Sequence, residues 1–366
     1  MDALRNRAET EKIAALLGVE DATRLAFLHA LPHDDLRRFR QQTVAALHDG
    51  APDMLDRIAG ATKLVPAAVS AAISQKALGP RLAAAVAGRL EPARAAAIIE
   101  KLPVSFTASS CAYLDPRRIP GIVDRLDGDL VVRIAVALAE RGDHLTMGRF
   151  VGHLRDEAIS RILGFIEGSA VLRTGFYIDE PARIGPILDL LGAERLARLI
   201  TTAGTENLWP EALAVAAMAD DEHRRRIASL TAAQSTEHLD SLVRAVHEGG
   251  LWESLLPLVA LLDDDEDAPG QLRTVAALPS LEDGEVLAGV VPAVVATGLW
   301  AEFLPLVAAL PDPSRVRVAE IAGELPDEQL RSMIAEIVKR DLWEDVLPVV
   351  ELMPDTAKER VLRFAE

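Results

Sequence analysis

Arg149 and His153 stand four residues apart in the segment HLTMGRFVGHL. On a helix that spacing places both on one face, where a guanidinium and an imidazole together would hold a small anion. Arg117 and Arg118 lie upstream in DPRR, and His144 opens the same segment. Arg117, Arg118, His144, Arg149 and His153 are therefore the candidate residues for contact with a ligand or partner. Ordinary solvated side chains would show the same spacing. His144 and His153 are about two and a half helical turns apart, too far to share a metal without outside ligands.

Other reactive residue types offer less. Cys111 sits in SFTASSCAYLDPRR with no histidine nearby to act as a base, which points to packing rather than nucleophilic chemistry. The run Asp263, Asp264, Asp265, Glu266, Asp267 is the densest carboxylate cluster. Gly270 is misplaced for a calcium loop and the closing Glu is missing, so the run reads as a solvated insertion. Phosphate-binding loops, dinucleotide fingerprints, zinc-protease motifs and nucleophile elbows do not occur in the sequence. The expectation is a protein without catalytic residues, cofactor or metal.

The elements that must carry these residues are helices. Of 366 residues, 50% are hydrophobic but only 4% aromatic, so Ala, Leu and Val do the packing. That composition suits helices lying closely on helices. A single cysteine excludes a disulfide framework. The net charge of −17 disfavours nucleic acid and anionic lipid. Most of it falls in residues 250–366, with 23 acidic and 9 basic residues, a surface suited to a basic partner. The first residues lack the continuous apolar core of a signal peptide, and the longest uncharged stretch, Val286–Ala301, is too short and interrupted for a membrane span. A cytoplasmic location is expected.

The clearest pattern is an internal repeat. GLWESLLPLVALLDD, GLWAEFLPLVAALPD and DLWEDVLPVVELMPD align on Trp252, Trp300 and Trp343, with a divergent copy, NLWPEALAVAAM, on Trp209. The period is 43–48 residues. Pro257, Pro305 and Pro348 follow five residues after their tryptophans, where a missing N–H should kink the helix. Thirteen residues before each Trp stand Leu196, Leu239, Leu287 and Leu330, each followed by apolar residues at +3, +4 and +7, one face of a helix. Each unit reads as a helix, a tight Gly or Asp turn, a Trp-headed helix and a shorter connecting helix. Asp341 with Glu344 suggests a capping box. His247 takes a position held by Val295 and Val338, so it should be half-buried and hydrogen-bonded. Recurrence marks the tryptophans as packing residues, because repeat cores reuse positions.

On this period, the two to three helices per unit and the proline, the sequence resembles the HEAT and armadillo families of helical repeats. Residues 115–165, with short helices ending in Leu before an Asp turn, are faintly similar to the helical N-terminal domain of MgtE-type magnesium channels and their relatives in the flagellar switch. The resemblance implies an all-α fold, a right-handed α-solenoid of short helices, with three regions: an Ala-rich helical region 1–110, irregular short-helix repeats 111–195, and Trp-marked repeats with an acidic surface 196–366. The expected function is a non-enzymatic scaffold or adaptor that binds a protein or peptide on the solenoid surface. The alternative is a carrier of a small molecule or lipid, with a possible enzymatic role, in an apolar cavity between helical arcs.

Overall fold

The computed structural model describes residues 2–48, 52–262, 270–341 and 343–365, and every regular element among them is helical. The carboxylate run at 263–267 lies outside the described residues. The chain divides into two units, 2–192 and 193–366.

The N-terminal unit begins with a hairpin: α1 (Asp2–Leu17), a 3-10 segment (Ala22–Ala30) and α2 (His33–His48). Shorter helices follow, namely α3 (Pro52–Thr62), α4 (Ala67–Ile73), α5 (Gly79–Ala87), α6 (Pro92–Ile99), α7 (Val104–Cys111), α8 (Pro120–Val123), α9 (Gly128–Glu140), α10 (His144–Val151), α11 (Asp156–Leu163) and α12 (Gly168–Phe176). Two kinds of residue start several of them. Pro92 and Pro120 occupy first-turn positions, where an N–H would go unused and φ is already helical. Asp127 and Asp143 precede α9 and α10 and accept bonds from the backbone N–H groups of Leu130 and Thr146. In one row α3 packs on α5, α5 on α7, α7 on α9 and α9 on α11; in another α4 packs on α6 and α6 on α8, and α10 packs on α12. Ala84, Ala95 and Ala108 are buried with Leu130, Ile134 and Leu138, so small side chains let the helices approach. One close approach to backbone is at Gly148 on α10, where a Cβ would lie 2.7 Å from the Thr174 carbonyl oxygen and from Tyr177.

The next helix, α13 (Ile184–Thr205), breaks at Gly192, whose φ of 68° and ψ of 170° are not helical. The division between the units falls there. The C-terminal unit continues with α14 (Trp209–Met218), α15 (Asp221–Ala232), α16 (Thr236–Gly249), α17 (Trp252–Ala260), α18 (Gln271–Ala276), α19 (Gly284–Thr297), α20 (Trp300–Ala309), α21 (Asp312–Gly323), α22 (Asp327–Arg340), α23 (Trp343–Leu352) and α24 (Asp355–Ala365). Each repeat tryptophan is the first residue of its helix, and the four Trp helices form one row, α14 on α17, α17 on α20 and α20 on α23.

Two residues before each Trp the backbone turns left-handed, at Asn207 (φ 53°), Gly250 (62°), Gly298 (71°) and Asp341 (56°). Only Gly and short polar residues adopt that conformation readily, which is why the repeat carries Asn, Gly, Gly and Asp there. The anticipated capping box at Asp341 is not formed, because this left-handed residue closes α22 instead of opening α23 in an extended conformation. Pro257, Pro305 and Pro348 lie inside α17, α20 and α23, and each helix runs on past its proline.

Trp209, Trp252 and Trp300 are buried, and the Trp209 indole N–H donates to Ser241 Oγ at 2.8 Å. His247 is half-buried, as expected, but its buried Nδ1 has no hydrogen-bond partner among the described residues. The ring lies over Gly289 of α19, so packing fixes it. Repeat position also fails to guarantee burial. Leu256 is fully buried, whereas the matching Leu347 on α23, the last helix of its row, is 49% exposed.

Candidate functional site

The N-terminal unit holds a small charged cavity of about 30 Å³. Three of the five candidate residues, Arg117, Arg149 and His153, line it together with Arg37, Arg40 and Gln41 of α2, Asp115, Asp179 and Glu180. Arg149 and His153 come from α10 and the turn after it, one helical turn apart as the sequence suggests. Arg118 faces a separate small cavity with Arg89 and Leu114. His144 lines neither; it opens α10 with its Nδ1 buried and unpartnered among the described residues, and burial, reinforced by Arg173, lowers its pKa.

One wall of the cavity is a buried ion network that ties the N-terminal hairpin to the end of α12. Lys12 Nζ donates to Glu9 Oε1 at 2.9 Å and to Asp179 Oδ1 at 2.6 Å. Arg40 forks between the same two acids, with Nε to Glu9 Oε2 at 2.8 Å and Nη2 to Asp179 Oδ1 at 2.9 Å. Burial pushes the Glu9 and Asp179 carboxyls up, but Lys12 and Arg40 outweigh it and hold both below the usual carboxylate range. Burial opposes the Arg40 charge in the same way, and Asp179 and Glu9 more than restore it. Two cations and two anions close on themselves, so the network satisfies its own charge. Nearby, Arg37 pairs with Glu180 at 3.3 Å, Tyr177 donates to Glu11, and the Arg7 guanidinium lies 5.5 Å from the Phe176 ring centre.

On the opposite wall, Asp115 is buried and caps a 3-10 turn by accepting from the Arg117 N–H at 3.1 Å. The Arg117 side chain also grips it, through Nε at 3.0 Å and Nη2 at 2.9 Å. Arg149 behaves differently. Its Nη2 donates to the Leu114 carbonyl at 2.7 Å and its Nη1 to the Ala112 carbonyl at 3.3 Å, at the end of α7. It forms no salt bridge to a carboxylate among the described residues, and burial lowers its pKa. Cys111, beneath it, is buried, and its thiol is pushed up to about 12 by burial and Asp143, so it stays protonated and inert.

Two further features bear on function. The 3-10 segment Ala22–Ala30 has no buried residue, and Phe27 is 70% exposed. Its shape is held from behind: Asp21 accepts from the Thr23 N–H at 3.0 Å, and Asn6 Nδ2 donates to the carbonyls of His29 and Leu31 at 3.2 and 3.0 Å. In the C-terminal unit an apolar cavity of about 60 Å³ lies among α14, α15, α16 and α17, with walls that include Trp209, Leu213, Leu242 and Leu258 and with Thr231 as the one polar lining residue.

Glu9, Lys12, Arg40 and Asp179 were not anticipated as site residues. One signal was present: Lys12 falls four residues after Ala8, on the face of α1 that buries Leu4 and Ala8, where a charge demands a partner. One partner, Glu9, lies three residues back, but the other, Asp179, is 167 residues away and leaves no trace in local spacing.

Among the described residues no group of three or more His, Cys, Asp or Glu side chains could hold a metal ion. None of their helices is long and apolar enough to cross a membrane. Comparison with protein-family models, with curated proteins and with solved structures found no match.

Proposed function

We propose that this chain is a non-enzymatic interaction scaffold, a right-handed α-solenoid of the HEAT or armadillo kind that binds a protein or peptide partner. The observation that carries the reading is the exposed 3-10 segment at Ala22–Ala30. A nine-residue helical segment with no buried residue, which only half-covers Leu25 and Leu28 where it packs on α1, gains little stability from hydrophobic contact. It is nevertheless held in one shape by Asp21 and Asn6 and presents Phe27 outward. A preorganised apolar surface of this kind suits partner binding, because little ordering entropy remains to be lost. Skip-one packing of short helices supports the solenoid reading, and the acidic residues after 250 suit a basic region on the partner.

The experiment is native mass spectrometry of the chain isolated from its own cells, as wild type and as Phe27→Asp. A stoichiometric second protein on the wild type, absent from a folded Phe27→Asp, supports the reading. The same second protein on both, or none on either, overturns it. A second reading, a carrier of a small apolar molecule, is favoured by the C-terminal cavity, whose apolar walls would hold such a ligand without polar cost. A bound small-molecule mass, lost when Leu213→Trp fills the cavity, would support it.

A further inference from the structure

The charged cavity carries a surplus of positive charge. Each of its acids already has a cationic partner: Asp179 has Lys12 and Arg40, Glu180 has Arg37, and Asp115 has Arg117 and Arg118. Arg149 is left with two backbone carbonyls, which take up two of its five N–H donors and none of its formal charge. The His153 imidazole, one turn on, makes no hydrogen bond to another described residue and lines the same space. Arg149 has no described carboxylate in salt-bridge contact, and Asp179, Asp115 and Asp143 act on it only at longer range. A guanidinium so placed, beside an imidazole in a partly enclosed recess, attracts negative charge.

We infer that this cavity binds a small oxyanion, the carboxylate or phosphate group of a free small molecule, with Arg149 and His153 as its ligands. The size agrees. About 30 Å³ gives room for roughly two or three waters, the space of one such group. Arg149 is held in place beforehand, with its Nη atoms tied to the turn after α7, so the anion meets a fixed charge. Phe27 is not among the residues that line the cavity, and the inference does not depend on the proposed partner surface.

The test is isothermal titration of the full chain with inorganic phosphate and, separately, with acetate, at constant ionic strength against a sodium chloride background. One of the two anions should bind saturably at a single site, and which one binds distinguishes the phosphate from the carboxylate form. His153→Asn leaves the Arg149 bonds intact and should weaken binding several-fold, while Arg149→Gln should weaken it by tenfold or more. Arg149→Gln also loses ties to the α7 turn, so His153→Asn keeps the inference testable if that variant fails to fold. Absence of saturable binding by either anion, or wild-type affinity in His153→Asn, overturns it.

Discussion

Asp179→Asn is the sharpest probe of how the N-terminal hairpin is held. Asp179 accepts from Lys12 at 2.6 Å and from Arg40 at 2.9 and 3.2 Å. The amide is nearly isosteric but neutral, so Glu9 alone would face two buried cations. Breaking one partner out of a buried ion pair costs about 3–5 kcal/mol. The Asp179 side chain keeps 18% of its exposure, which places this case near about 3 kcal/mol, where solvent screens part of the loss. In urea, with a slope of about 2 kcal/mol/M, the transition of the N-terminal unit should shift down by roughly 1.5 M. Amide exchange in 2–48 should accelerate by roughly 100-fold, since about 1.4 kcal/mol is a factor of ten. Adding Lys12→Met to Asp179→Asn should cost less than the sum of the two single changes, because the second removes a charge already stranded. Unchanged exchange in 2–48 together with additive single and double variants would refute the clamp.

Leu256→Ala should cost about 2–5 kcal/mol, but Leu347→Ala, at the same repeat position and half-exposed, well under about 1 kcal/mol; urea denaturation of the two variants reads the difference. Gly148→Ala should lower the melting temperature of the N-terminal unit by several degrees, because the added Cβ meets backbone at Thr174 and Tyr177 rather than a side chain that can move. Glu9 and Asp179 are held below their ordinary values of 4.5 and 3.8, so their contribution is fully present above that range and is lost as pH falls through the lowered folded values. Stability measured from pH 6 down to about pH 2 should therefore fall below about pH 4, and by less in Asp179→Asn.

The helical class was legible without coordinates because its signals are local. Apolar residues at 0, 3, 4 and 7 before each Trp, Pro or Asp at the helix starts, and Asn, Gly, Gly or Asp before each Trp helix all act within a few residues of themselves. Spacing also placed Arg149 and His153 on one face, since they are a single turn apart. Spacing was no guide to Arg118 and His144, which share sequence proximity with that pair and point elsewhere.

What the tertiary structure alone decided is charge pairing and burial across distance. Lys12 and Asp179 meet only because the hairpin folds back on the end of α12, and no periodicity encodes a contact 167 residues long. Arg149 became an unpaired cation because the neighbouring acids were already taken by Lys12, Arg40, Arg37, Arg117 and Arg118, which is a property of the assembled set. Leu256 and Leu347 are the same letter at the same repeat position, yet one is core and the other surface. The pattern determines which face of a helix is apolar; whether a neighbour lies there to cover it depends on where that helix stands in its row.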